Sequence, residues 1–105
     1  MKYEVIFSRE AEADLERLFD HALERELNSP SGDLDIAARA IEAIRVSCQY
    51  LAISPFGCRR VGQDGWVREL VISFGASGYV ALFEIRRDGR VVIGSVRHQR
   101  ESDYH

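Results

Sequence analysis

A chain of 105 residues that is 46% hydrophobic has material for one core, read as a single domain over 1–105, and is too short for a deep cleft between two lobes. No apolar run approaches the length that spans a bilayer, and the acid at Glu4 comes too early for a signal peptide, so a cytoplasmic protein with no membrane partner is expected. The net charge of −3 argues against gripping nucleic acid by bulk electrostatics, yet it is unevenly spread: residues 1–54 hold six Lys and Arg against eleven acids (−5), and residues 55–105 hold eight arginines against six acids (+2).

The chain opens with strand period. In "KYEVIFS", Tyr3, Val5 and Phe7 alternate with Glu4, Ile6 and Ser8. Ser8 then stands where a helix N-cap belongs, with Glu10 and Glu12 near the positive end of the helix dipole. From there Ala11, Leu15, Leu18, Phe19 and Ala22 share one helical face, and Arg9, Glu12, Glu16, Asp20 and Glu24 the other. The spacing predicts a helix from about Arg9 to about Leu27. "NSPSGD" (28–33) is turn chemistry, with Ser31 or Asp33 available to cap a second helix. That helix carries one apolar stripe, Ala37, Ile41, Ile44, Cys48 and Leu51, as the seam of an antiparallel helical hairpin, and Pro55 is its stop.

"SPFGCRRVGQDG" (54–65) reads as a loop with three glycines and two adjacent arginines. The period then becomes two. "WVRELVISF" (66–74), "YVALFEIR" (79–86) and "RVVIGSVR" (90–97) are three consecutive strands, joined by the short glycine-bearing turns "GASG" and "RDG". Local connections make them an antiparallel meander, and the first strand has to find an edge of it. The strands are apolar on both faces. One face suits the helical hairpin; the other suits a partner or a covering tail. The expected class is α+β: an N-terminal strand and an α-helical hairpin packed on a twisted antiparallel sheet of about four strands.

Several chemistries find no support in these residues. Cys48 and Cys58 form no C-x-x-C pair and have no His neighbours, so they read as a core thiol and a loop thiol, with no metal site. "FGASG" lacks the strand–loop–helix setting of a phosphate cradle, so no cofactor is expected. Ser73 and Ser77 have no evident base and orienting group for nucleophilic hydrolysis.

Four stretches in order carry a family resemblance: "Y-x-V-x-F-S-x-x-A-x-x-D-L" over Tyr3–Leu15, "R-E-L-x-I" over Arg68–Ile72, "SGYVALFEI" over Ser77–Ile85 and "V-R-H-Q-R-E-x-D-Y" over Val96–Tyr104. With the element order, they resemble the RelE/ParE superfamily of toxins from type II toxin–antitoxin (plasmid stabilisation) systems. The resemblance implies a small toxin held inactive by a cognate antitoxin wrapped on its surface. RelE-like members sit in the ribosomal A site and cleave mRNA with arginines, lysines and a C-terminal tyrosine; ParE-like members inhibit DNA gyrase.

The residues divide between those two outcomes. For an mRNA endonuclease, Arg97 and Arg100 can clamp the phosphate, His98 can serve as base or acid, Tyr104 stands at the place of the family's C-terminal tyrosine, and Arg68 can add charge from the next strand. Against it, the RelE-like arginine ahead of the "S-G-Y" stretch matches Gly75 here, and the loop lysines are replaced only loosely by Arg59 and Arg60. The resemblance is therefore closer to ParE-like, a toxin that binds gyrase. The residues expected to meet an antitoxin or target are Arg59, Arg60, Trp66, Arg68, Arg97, His98, Arg100 and Tyr104. The ribosome with its mRNA is the alternative target, and a degenerate member that only binds antitoxin is a third reading.

Overall fold

The computed structural model describes residues 2–101 of the chain. The elements follow the order β1 (Glu4–Phe7), α1 (Arg9–Leu27), α2 (Asp35–Gln49), β2 (Arg59–Arg60), β3 (Val67–Phe74), β4 (Ser77–Ile85) and β5 (Arg90–His98). One sheet holds five strands in the order β1-β5-β4-β3-β2. This corrects the expected four-stranded antiparallel sheet in two ways. Arg59–Arg60 form a short fifth strand against Glu69 and Arg68, and two residues are too few to show alternation. β1 runs parallel to β5, with Val5 beside Val91 and Phe7 beside Ile93, so the sheet is mixed.

Local chemistry sets the element ends. The Ser8 hydroxyl accepts from the Ala11 N–H at 3.0 Å and starts α1 where the N-cap signal stands. Asp33 starts α2 from one residue outside the cap position, its Oδ1 accepting from the Asp35 N–H at 3.0 Å. α2 ends at Gln49, earlier than Pro55, because the chain tightens into 3₁₀ turns at Tyr50–Ala52 and Pro55–Gly57. The β3–β4 turn depends on both of its glycines. Gly75 takes φ 61 at the first position of the two-residue loop. A Cβ on Gly78 would sit 2.0 Å from the Ile72 carbonyl oxygen.

Both helices pack on one face of the sheet. Ala11, Leu15 and Leu18 of α1 and Ile44 and Cys48 of α2 meet Ile72, Phe83, Ile85, Val91, Ile93 and Val96 in one buried cluster. Each large side chain there contributes roughly 1.5–3 kcal/mol relative to exposure. β5 carries a bulge: Leu82 faces Ser95 while Phe83 faces Ile93, so Gly94 is the extra residue. The bulge reverses which residues of β5 turn their backbone groups outward.

Candidate functional site

Alternation along β5 separates the two residues that a nuclease reading needs together. Arg97 lies opposite Val80, and His98 lies opposite Tyr79. Neighbours on a strand point to opposite faces, so Arg97 joins the face away from the helices and His98 the helix face. On the open face Arg97 lines a groove of about 450 Å³ with Val80, Leu82 and Glu69, rimmed by Arg17 and Glu101. A second groove of about 500 Å³ shares Leu82 and continues over Val67 and Val92. The floor is apolar and the rim mixed in sign. Arg17 pairs with Glu101 at 3.1 Å and with Asp14 at 3.8 Å, and Arg59 pairs with Glu69. A surface of that kind suits a polypeptide better than a polyanion, which needs uncompensated positive charge.

His98 is engaged on the other face. Its Nδ1 accepts from the Arg100 N–H at 3.1 Å. The proton therefore sits on Nε2, which donates to the Ser77 hydroxyl at 3.0 Å. The ring stands edge-on to Tyr79 with centroids 5.4 Å apart. Burial, followed by the positive charges of Arg25 and Arg100, holds the imidazole below its ordinary value and keeps it neutral.

The other expected residues divide in the same way. Arg59 lies beside Glu69 and so belongs with Arg97 around the open groove. Arg60 alternates away from it and is exposed. Arg68 shares the helix face with Phe83. Its guanidinium donates to the carbonyls of Gly65 (2.9 Å), Phe56 (2.9 Å) and Cys58 (2.8 Å), which makes it a clamp on the preceding loop. Trp66 is half-buried, edge-on to Phe56 at 5.9 Å, with Arg87 stacked 5.3 Å above it. Arg100 is exposed. Tyr104 lies outside the described residues.

A group that the sequence does not single out finishes the β5 edge. Beyond the bulge, the Val96 N–H donates to Asp14 Oδ2 at 2.8 Å and the Val96 carbonyl accepts from Arg17 at 3.4 Å. The His98 N–H donates to Glu101 Oε1 at 2.7 Å, and its carbonyl accepts from the Glu101 N–H at 3.0 Å. The Ser8 hydroxyl donates to the Gly94 carbonyl at 3.3 Å. Side chains thus do along this edge what a sixth strand would do. Burial raises the Glu101 carboxyl, but the His98 N–H and Arg17 outweigh it and the net shift is downward. An acid–base pair three apart on a helix gives only a faint signal for this; Asp14 and Arg17 match many solvent-exposed pairs.

The thiols are inert by environment. Burial pushes Cys48 up to about 12, and burial also raises the half-buried Cys58. Among the described residues no helix is long and apolar enough to cross a membrane, and no three His, Cys, Asp or Glu side chains cluster as metal ligands.

Comparison with known proteins adds a family. The family described as ParE toxin of the type II toxin–antitoxin system, parDE, matches residues 5–103. No curated protein matches significantly in sequence. Among solved structures, the chromosomal ParDE toxin–antitoxin system from P. aeruginosa includes a chain similar at TM-score 0.71 and 19% identity, over 92% of this chain and 96% of that one. A chain of the RelBE2 toxin–antitoxin complex from Mycobacterium tuberculosis is similar at TM-score 0.59 and 20% identity, over 94% of this chain and 100% of that one. At those identities the two structures share the fold.

Proposed function

The chain belongs to the ParE toxin family of type II toxin–antitoxin systems, and from that premise we propose that it arrests growth by binding DNA gyrase in the cytoplasm and is neutralised by a cognate antitoxin. The observation that carries the choice of target is the placement of Arg97 and His98 on opposite faces of β5. Cutting RNA through its own 2′-hydroxyl needs a base, an acid and a cation gathered around one phosphate. Here the cation and the titratable ring are divided by the sheet, both ring nitrogens are in hydrogen bonds, and Gly75 offers no side chain at the turn.

The open face supports a protein partner. Its apolar floor of Val67, Val80, Leu82 and Val92 runs through two grooves that share Leu82. An amphipathic antitoxin helix laid along them buries that floor. Acids on such a helix meet Arg59 and Arg97 across the groove, and Arg60 and Arg100 beyond it. The charge layout agrees: residues 9–49, the helical hairpin, carry ten acids against five arginines, so an acidic partner is repelled there and directed to the sheet.

The test is induction of the chain in cells, with gyrase supercoiling and primer-extension mapping of mRNA measured on one sample. Loss of supercoiling with intact mRNA is expected. Codon-positioned cuts with supercoiling untouched would select the endonuclease alternative built on Arg97, His98, Arg100 and Tyr104. Neither effect, with antitoxin binding retained, would select a non-toxic member.

A further inference from the structure

Among the described residues three arginines lie over aromatic rings, and they differ in what their N–H groups do. Arg45 sits 5.2 Å from the Phe7 ring centre and donates to both carboxylate oxygens of Glu12, at 2.9 and 3.3 Å. Arg68 sits 5.1 Å from the Phe56 ring centre and donates to three loop carbonyls. Arg87 sits 5.3 Å from the Trp66 ring centre. It is exposed, and its guanidinium has no hydrogen bond or ion pair among the described residues. The first two arginines hold parts of the fold together. The third is restrained by a ring that uses none of its donors, so its ordering cost is reduced before any ligand arrives.

The ring beneath Arg87 is itself held. Trp66 stands edge-on to Phe56 at 5.9 Å, Phe56 edge-on to Tyr3 at 6.4 Å, and the Trp66 N–H donates to Asp64 Oδ1 at 2.9 Å. A groove of about 420 Å³ opens beside it, lined by Asp64, Trp66, Glu84, Ile85, Arg86 and Arg87. Both of its acids are engaged, Asp64 with the Trp66 N–H and Glu84 with Arg86 at 3.1 Å. Arg87 is the charge in this groove left without a counterpart. A guanidinium with unspent donors matches a carboxylate through two parallel hydrogen bonds. A polyanion is a poorer match, because its further charges meet Asp64 and Glu84.

Phe56 touches both Arg68 and Trp66, which places this cluster on the side of Arg68, the helix face. The antitoxin helix is assigned to the opposite face, so this end of the sheet is left for the other protein partner, the target. We infer that Arg87, held on Trp66, is the anchor by which the chain grips a surface Asp or Glu of its target protein, with apolar contact from Trp66 and Phe56. The inference rests on the proposal that the chain binds gyrase. Buried arginine and tryptophan anchors carry a large share of binding energy at protein interfaces. Glu84 and Arg86 line both this groove and the second groove of the open face. An antitoxin helix that reaches the end of its own groove therefore overhangs Arg87 and shuts the target out, without bonding to Arg87 itself.

The experiment compares the full chain with Arg87→Glu and Arg87→Lys in three measurements: inhibition of purified gyrase in a supercoiling assay, affinity for the antitoxin co-expressed from the adjoining gene, and retention on duplex DNA alone. Arg87→Glu touches no hydrogen bond of the fold, so its melting temperature is expected to match the parent's. It is expected to need roughly ten- to a hundredfold more protein to inhibit gyrase. Arg87→Lys keeps the charge and loses the planar fork, for a loss of about three- to fivefold. Antitoxin affinity is expected to stay within about twofold for both. Equal inhibition by the parent and Arg87→Glu would overturn the inference and keep the gyrase reading. Failure of the parent chain to inhibit gyrase would overturn both. Lost antitoxin affinity with inhibition unchanged would assign Arg87 to the antitoxin, and DNA retention that Arg87→Glu abolishes would assign it to phosphate; either result overturns the inference.

Discussion

Along β5, the outward backbone groups of Val96 and His98 meet Asp14, Arg17 and Glu101; along β3, those of Val71 and Ser73 meet no strand of the described residues. The two strands come from one meander and have similar lengths. They differ in what lies beside them. α1 leaves β1 at Ser8 and climbs past the second half of β5, bringing a carboxylate and a guanidinium to its edge, whereas α2 passes β3 with Val46 and Tyr50 turned outward. An edge can thus be finished by side chains as well as by a strand.

Substitutions on the two strands test this contrast, and thermal or urea unfolding checks each one. Val96 is 1% exposed while Val71 is 49% exposed. Val96→Ala is expected to cost about 2–3 kcal/mol, through lost transfer energy and a residual cavity. Asp14→Ala leaves the Val96 N–H without its acceptor and is expected to cost about 1–2 kcal/mol. Arg17→Ala removes a half-exposed pair and a long bond to the Val96 carbonyl, for roughly 0.5–1 kcal/mol. A loss from Arg17→Ala as large as that from Asp14→Ala would mean that the ion pair, and not the strand-edge acceptor, closes β5.

Acid should weaken the finished end first. His98 sits below its ordinary value of 6.5 in the folded chain, so the unfolded chain takes up that proton first. Its contribution is complete above about 6.5 and is lost as pH falls toward the lower folded value. Glu101 and Glu12 are also lowered, and their contributions disappear further into acid. Melting temperature should therefore fall between pH 7.5 and 5.5, and His98→Gln should flatten that slope; an unchanged slope would mean that His98 does not cause it. The smallest effect is expected on the bare edge: Val71→Thr should lie within about 0.5 kcal/mol of the parent.

How much of the fold and site is legible in the chain depends on how local each signal is. α1 runs from Arg9 to Leu27 as its cap and stripe indicate, because both signals lie within one helical turn of the residues they organise. The three long strands and their turns are legible from period and glycine for the same reason. β2 is not, since Arg59–Arg60 carry no alternation. The parallel pairing of β1 with β5 joins residues more than eighty positions apart, and no local pattern encodes it. The opposite facing of Arg97 and His98 is in principle readable from strand alternation. Which of them meets the helices depends on the Gly94 bulge, and a glycine inside "VVIGSVR" is its only trace. Asp14 and Arg17 act through the backbone of a strand met eighty residues later, so their role becomes visible only once the fold is assembled.

The division of Arg97 from His98 by the sheet is the basis for proposing a toxin that binds its target rather than cutting RNA. The most direct measurement supplies the purified chain to ribosomes programmed with a defined mRNA, and in parallel to purified gyrase in a supercoiling assay. Intact mRNA and inhibited gyrase are expected. Codon-positioned cleavage that His98→Ala abolishes, with gyrase unaffected, would contradict that proposal.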